Sequence, residues 1–465
     1  MSKGNMFPAL ALPRAVMAPL TALAIMSTAP VTLQAADLGG ECCADLDERI
    51  AELEATVARK GTRKISLQLS GQVSQALLAF DDGGERNVYQ VSNWNSSDRL
   101  RMDGSAVIAP GWRSGYMIEL GLGLPSTNNV SQNNDDGGNG APLVRQSLWY
   151  IDSKRLGAIT VGLAEPATDG IIGYNLGGTS IAASANTTLV GTNLFTRNGL
   201  TGTLNSLQSG NTTALTWRRF LPQLDTSRGN LVRYDSPVLM GFSASASWGE
   251  DDFWDAALRF ARLANGFRFA FGAGYYENRE EFTAFGTGNS VTREIKGSAS
   301  VLHEPSGLFL SGAYVHREHA GTNLAMRTFA CYPSNDAAQI RALGIACANR
   351  PDFDYYWLSG GIRLKAIPLG TTTIYGEFAR GEDGVTGLNV ATASATGGDI
   401  DQVTSSSMTI WGAGIVQRLS DADMEIFASY RNFSADVTGL ETNGAIVAAP
   451  IEDAHLFMAG SRIRF

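Results

Sequence analysis

From Ile65 onward the chain alternates. Ile65, Leu67, Leu69, Gly71 and Val73 interleave with Ser66, Gln68, Ser70, Gln72 and Ser74. A side-chain period of two is the signature of a β-strand, with one face suited to hydrocarbon and the other to water. Similar segments recur near 97–109, 112–124, 143–153, 157–164, 228–236, 240–249 and 253–264. More follow near 266–277, 291–303, 307–318, 353–366, 371–380, 407–419, 422–435 and 452–465. With the first, that makes about sixteen, an even number as a closed single-chain barrel requires. In the last segment Phe465, Ile463, Ala459 and Phe457 share one face, and Arg464, Arg462 and Gly460 the other. An aromatic at the very terminus suits a barrel, which closes on itself and places aromatics at the membrane–water boundary. The pattern therefore predicts an all-β, transmembrane, antiparallel β-barrel.

The connections repeat the message. Alternate links are tight: Pro110-Gly111, Ser153 to Leu156, Pro237 to Leu239, Asn265, Glu304 to Gly307, Ile367 to Gly370 and Ser420-Asp421. Those between them are mostly long and rich in Asn, Asp, Gly, Ser and Thr, the asymmetry of outer-membrane barrels. Two features depart from it. The fourth outer link, Glu250 to Asp252, is short, and both faces of 307–318 and 407–419 look apolar. One outer link, Glu165 to Ser227, is far longer than an ordinary loop, which marks it as functional or unstructured. Ile171, Ile172, Leu189, Leu194, Phe195 and Leu200 could anchor it to a wall, and Thr212 to Phe220 within it reads as a strand.

Ahead of the barrel, Cys43, Leu46, Ile50, Leu53 and Val57 fall at alternating spacings of three and four, a short coiled-coil seam supported by Asp45 and Arg49. Two heptads cannot stand alone. The helix either joins an assembly that already oligomerises or packs on the periplasmic mouth of its own barrel. Farther upstream, Lys3 and Arg14 precede an apolar run from Ala15 to Met26, and small residues follow at Ala35 and Ala36. That order is a secretory leader. The expected organisation is a signal peptide at 1–36, a periplasmic helical segment at 37–62 and the barrel at 63–465.

Composition fits this reading. Fifty-two glycines and a mean hydropathy of −0.05 suit a chain whose strands are polar at every second position. Removing the leader takes the net charge from −9 to about −11, too acidic for a nucleic-acid partner. Leu38-Gly39-Gly40 resembles a lipoprotein processing site but is followed by Glu41, not by Cys42. Cys331 and Cys347 flank a polar stretch in an oxidising compartment and are expected to form a loop disulfide, worth roughly 3 kcal/mol. Adjacent Cys42 and Cys43 are left for inter-subunit bonds or free thiols.

The candidate chemistry is inside the barrel. A charge on the lipid face costs roughly 2–4 kcal/mol at mid-membrane, so charges on strands are expected to point inward. Arg99, Arg101 and Asp103 alternate with Leu100 and Met102, and Arg113 and Glu119 with Trp112, Tyr116, Ile118 and Leu120. Arg268 sits among Phe267, Phe269 and Phe271, while Arg363 and Lys365 flank Leu364. Most such charges are solvated or paired. A cluster of Arg99, Arg101, Arg113 and Arg145, facing Glu165 and Asp169 at the root of the long loop, would instead set a transverse field at a constriction. A barrel hydrolase would need a nucleophile and base. The four histidines, His303, His316, His319 and His455, offer no metal pair and no clear triad.

Several motifs resemble one family. Cys43-Ala44-Asp45-Leu46 through Glu52-Leu53-Glu54-Ala55-Thr56 and Ala58-Arg59-Lys60-Gly61, then Ser70-Gly71-Gln72-Val73, resembles the start of alphaproteobacterial porins. Arg145-Gln146-Ser147 with Leu156 to Gly162, and Arg233-Tyr234-Asp235-Ser236-Pro237 with Gly241-Phe242, are similar to the hairpins around the constriction loop of general Gram-negative porins. Phe465 resembles their terminal assembly signal. The resemblance implies a homotrimer of sixteen-stranded barrels in the outer membrane, in contact with its lipid and lipopolysaccharide. It also implies a third loop folded into each pore, with constriction roles for Arg145, Glu165 and Asp169. The short seam, taken alone, favours two strands over three. The expected function is passive diffusion of small hydrophilic solutes and ions, with no cofactor and no turnover. A solute-specific channel is the nearest alternative. A hydrolase, or a tether gripping peptidoglycan through the N-terminal helix, is more remote. Arg99→Glu or Arg101→Glu is expected to raise cation preference with little effect on stability.

Overall fold

The computed structural model describes residues 66–465 apart from 139, 208–213, 251, 282–289, 322–350, 389, 391, 398–399 and 442–443. Outside the described residues lie the leader, the seam of Leu46, Ile50, Leu53 and Val57, and Cys42, Cys43, Cys331 and Cys347.

Among the described residues eighteen strands form one antiparallel sheet. They begin with β1 (Ser66–Asp81), β2 (Arg86–Ser92), β3 (Arg99–Ala109), β4 (Trp112–Leu122), β5 (Pro142–Ser153) and β6 (Gly157–Ala164). Next come β7 (Gly229–Asp235), β8 (Phe242–Gly249), β9 (Phe253–Ala264), β10 (Phe267–Glu281), β11 (Ser290–His303) and β12 (Leu308–Gly321). The last are β13 (Phe353–Ile367), β14 (Gly370–Glu382), β15 (Ile400–Leu419), β16 (Met424–Glu441), β17 (Ile446–Ala449) and β18 (Ala454–Arg464). The short β2 and β17 pair with the outer ends of β1 and β16. The other sixteen close a barrel, β3 through β16 in order, then β18, then β1, with β1 also meeting β3.

The seam of closure explains the end of the chain. Val73 pairs with Ile463 and Ala79 with Phe457, all outward. Gly71 and Phe465 exchange backbone hydrogen bonds of 2.9 and 3.1 Å. A Cβ at position 71 would lie 2.5 Å from the Phe465 ring and 2.7 Å from the Arg99 carbonyl, so glycine is what lets the terminal ring close over β1. Outward aromatics mark the two ends of the wall, with Trp248, Phe378, Trp411 and Phe457 near one rim and Trp112, Phe242, Phe267 and Phe465 near the other.

Among the described residues, the long connection between β6 and β7 carries no strand. Thr212 to Phe220, which reads as strand in the sequence, contains instead a 3₁₀ turn at Trp217–Phe220. Trp217 packs edge-on against Phe433 of β16, ring centroids 5.6 Å apart, so packing on a wall overrides local β propensity. The connection lies inside the barrel. Tyr174 and Leu176 donate backbone N–H bonds to Ser298 and Ser300 of β11 (3.2 and 2.9 Å). Farther along, Tyr355 of β13 donates to the Ala185 carbonyl at 2.6 Å, and the Gly191 N–H meets the Thr127 carbonyl at 2.6 Å. Ile171, Ile172, Leu189 and Leu194 are buried as anchors, whereas Leu200 is exposed.

This placement accounts for the two strands with apolar faces on both sides. On β12, Leu308, Leu310 and Tyr314 point outward, while Phe309, Ala313 and Val315 point inward and are buried. On β15 the inward Met408, Ile410 and Val416 are likewise buried. Their inner faces meet protein, not water. Together with Tyr355, Trp357 and Phe433 they form one apolar core with the inserted chain. The lumen wall along these strands is thus a packed interior.

Candidate functional site

Water keeps the opposite wall. Inward side chains of β11 to β18 are mostly buried over the outer part of the barrel. Those of β3 to β7 are buried at Glu119, Arg145, Gln146, Ala164 and Leu231 and keep solvent contact nearer the turns, at Arg101, Asp103, Met117, Leu148, Tyr150, Thr160, Arg233 and Asp235. A lumen cavity of about 330 Å³ lies there, lined in part by Arg101, Gln146, Thr160, Glu165, Arg233 and Asp235.

At its head is a buried charge network. Arg145 donates to Glu119 at 2.6 Å, and Arg99 approaches the same carboxylate at 3.9 Å. Arg145 follows Val144, which pairs with Leu120, and a β-bulge between Glu119 and Leu120 turns Arg145 inward beside Gln146. Glu165, the first residue of the inserted chain, accepts from Arg228 at 3.1 Å and from Gln146 at 3.4 Å. The two ends of the insertion are therefore joined by an ion pair, set against strands carrying Glu119 and Arg145. Below them, Arg101 grips Asp103 through two bonds of 2.7 and 2.9 Å, and Arg233 grips Asp235 at 3.0 and 2.7 Å. In both pairs the partners stand two residues apart on the inward face of one strand.

The start of the insertion is held by Asp255 of β9. Its carboxylate accepts the N–H groups of Ala167 (3.2 Å) and Thr168 (2.7 Å) and the Thr168 hydroxyl (2.7 Å), and is also bonded by Ser247. Arg259 donates to the Ala167 carbonyl from the same strand. The middle of the insertion, at Arg197, is tied down outside the membrane span. Asp82 accepts from Arg197 at 3.0 Å through both nitrogens and from Gln132 at 2.9 Å. Burial pushes the Asp82 carboxyl upward, but the Arg197 and Gln132 bonds and two backbone N–H groups outweigh it and hold the group below the usual 3.8.

Of the residues singled out in the sequence, the structure brings Arg99, Arg101, Asp103, Glu119, Arg145 and Glu165 together along β3 to β6. Asp169 is close by but almost wholly buried, withdrawn from the water. Arg113 is elsewhere. It pairs with Asp152 at the turn end of β4, six residues from Glu119 or about 20 Å along the strand. Its inward phase was legible, and the tight link Pro110-Gly111 just before it already marked the turn end, a signal the clustering with Arg99 and Arg145 overlooked. Arg268 pairs with Glu304 at the same rim (2.7 Å), Arg363 donates to the Leu176 carbonyl (3.2 Å), and Lys365 is exposed, all on other strands. His316 points outward and bonds Asp354 (3.0 Å), which also accepts from Tyr314. Sequence reading missed Arg228, Arg233, Asp235 and Asp255. Arg233 and Asp235 carried a readable signal, since they alternate with Val232 and Tyr234.

A closed barrel with one dry wall, a charged wall that is wet over its inner part and a chain folded between them is the architecture of an aqueous channel. The family comparison agrees: the Gram-negative porin model matches residues 20–438, and the chain belongs to that family. It is an outer-membrane diffusion channel. The anion-selective porin from Comamonas acidovorans shares the fold at a TM-score of 0.51 and 14% identity, over 86% of this chain and 100% of that one. OmpT, an outer membrane protein of Vibrio cholerae, aligns at 0.48 and 12% over 87% and 99%. The outer membrane channel DcaP of Acinetobacter baumannii aligns at 0.45 and 10% over 87% and 99%. No curated protein sequence matches the chain.

Proposed function

We propose that small hydrophilic solutes and ions cross passively along the β3–β7 wall, with Arg99, Arg101, Arg145, Arg228, Glu119, Asp103 and Glu165 forming the constriction. The asymmetry of the interior carries this reading: the inserted chain covers the apolar wall and leaves the charged wall open to water below the buried Arg145–Glu119 pair, at Arg101 and Asp103. Close opposite charges in a narrow, low-dielectric gap sort solutes by size, charge and dipole. Four guanidiniums against three carboxylates give a mild preference for anions, in line with the anion-selective porin of similar fold. No turnover and no cofactor are involved. The working unit is a homotrimer, as the family resemblance implies. The 1–36 leader, the 37–62 helix, its hold on peptidoglycan and a Cys331–Cys347 disulfide belong to the same reading.

Purified protein in a planar bilayer under a salt gradient tests it. Ohmic steps with a reversal potential displaced modestly toward the anion are expected. Silence in repeated reconstitutions, or a strong cation preference, would reject it.

A further inference from the structure

Below the buried Arg145–Glu119 pair, the wet wall has an apolar floor set between two charged pairs. Gly115 of β4 pairs across the sheet with Tyr150 of β5. A Cβ at position 115 would stand 2.5 Å from both Cζ and Oη of Tyr150, so the ring lies over the glycine. One face of the ring rests on the β4 backbone and the other is turned to the cavity, as aromatic residues commonly cover a cross-strand glycine. Two residues farther from the turns on the same strands, Met117 pairs with Leu148 on one side and with Asp103 of β3 on the other. Met117, Leu148 and Tyr150 line the cavity and keep solvent contact. Hydrogen-bonding groups bound this floor. On the outer side, Arg101 donates through Nε and Nη2 to the two oxygens of Asp103, each of which keeps a further lone pair. On the turn side, Arg113 places both its bonds on Oδ2 of Asp152 and leaves Oδ1 without a partner among the described residues. Thr160 of β6 flanks Tyr150 at the same level.

We propose that this floor is a binding site for a neutral disaccharide. The inference rests on the channel reading above and adds a solute class to it. A pyranose ring carries C–H bonds on a flat face and hydroxyls around its edge. The C–H face suits the negative face of the Tyr150 ring and the Met117 and Leu148 side chains beside it. The edge hydroxyls, each a donor and an acceptor, suit Arg–Asp pairs, which offer both roles side by side. Each pair is charge-neutral, so a free ion gains from one partner and loses to the other. An uncharged sugar meets both partners and gives up no ionic hydration. The register sets the size. Asp103 and Arg113 are one strand spacing and four residues apart, about 14 Å between α-carbons. Their side chains reach in from both ends, and the gap left between them suits two linked sugar rings better than one. The cavity of about 330 Å³ falls in the range of ligand pockets.

The test is current reduction in planar bilayers by maltose, compared with glucose and with polyethylene glycol of similar mass. Wild type should show a saturable reduction by maltose, with roughly tenfold weaker affinity for the other two. Tyr150→Leu should weaken maltose binding roughly tenfold and leave the sugar-free conductance unchanged. Tyr150→Phe keeps the ring and should stay within roughly threefold of wild type. A reduction that polyethylene glycol matches, or maltose binding unchanged in Tyr150→Leu, overturns the proposal and leaves the channel reading intact. Absence of any conducting step overturns the channel reading itself. Should Tyr150→Leu fail to reach the heat-modifiable folded form, the comparison of maltose with polyethylene glycol on wild type decides alone.

Discussion

Arg99 and Arg101 are neighbours on one strand face and yet sit in different surroundings. The Arg101 side chain is 43% exposed and held by Asp103, while that of Arg99 is 18% exposed and shares Glu119 with Arg145. Arg101→Glu should therefore move the reversal potential toward cations and cost at most about 1 kcal/mol of barrel stability, as for other solvated pairs. Arg99→Glu would place a second carboxylate beside Glu119 and should cost about 3 kcal/mol, the scale of a broken buried pair. Thermal unfolding in detergent, run beside the salt-gradient recordings, separates the two. The sequence alone treats these arginines alike, because alternation gives the direction of a side chain and not its depth. A second residue-scale outcome concerns pH. Asp82 is held below 3.8 in the fold, so its contribution is present above that value and is lost as pH falls through the depressed one. Hydrogen exchange at 195–205 should rise in wild type only as pH falls below 3.8 and through the depressed value, and Asp82→Asn should show the raised exchange already at pH 7. No difference between them at neutral pH would remove Asp82 as the tether.

The inserted chain between β6 and β7 is the element on which most of the interior depends. Its root is fixed by Asp255, whose carboxylate satisfies the backbone of Ala167 and Thr168 at the point where the chain leaves the wall. Asp255→Ala should free this root at a local cost of about 3 kcal/mol and give noisier, less uniform open-channel currents. A quiet trace at the wild-type level would show that the packed core suffices without the clamp. Excision of 171–221 is the harsher test. In a barrel with a polar lumen such a deletion would widen the pore. Here it uncovers Trp357, Tyr355, Phe433 and their neighbours, about 25 cal/mol for every Å² of apolar surface exposed to water. The expected result is a sharp loss of folded, heat-modifiable protein, and a stable wide pore would contradict the packing described. The strand segments and the tight turns were legible because period two and Pro/Gly punctuation are local signals. The insertion's path was not, because it follows from contacts across the barrel, such as Tyr355 to Ala185, between residues far apart in sequence. Its traces in the sequence were its own apolar residues, such as Ile171, Ile172, Leu189 and Leu194, and the apolar inner faces of β12 and β15, which look like a misplaced register until a partner is supplied.

At the scale of the molecule, closure and interior explain each other. Sixteen strands enclose more space than their own side chains can fill. The chain packs its own longest connection into that space and leaves a wet cavity of about 330 Å³ beside the β3–β7 wall. The terminal Phe465 and Gly71 make the join, and that join was readable from the last strand's alternation together with its aromatic end. Which side of the lumen stays open was not, since it depends on where the insertion lies. The claim that solutes follow the β3–β7 wall is tested most directly by thiol access to the open pore. Thr160 lines the lumen cavity, and Ser359 on β13 is buried under the insertion. A charged methanethiosulfonate reagent should reduce single-channel current through Thr160→Cys severalfold and leave Ser359→Cys, like wild type, unchanged. Block of Ser359→Cys with Thr160→Cys unaffected would put the path on the other wall and contradict the account.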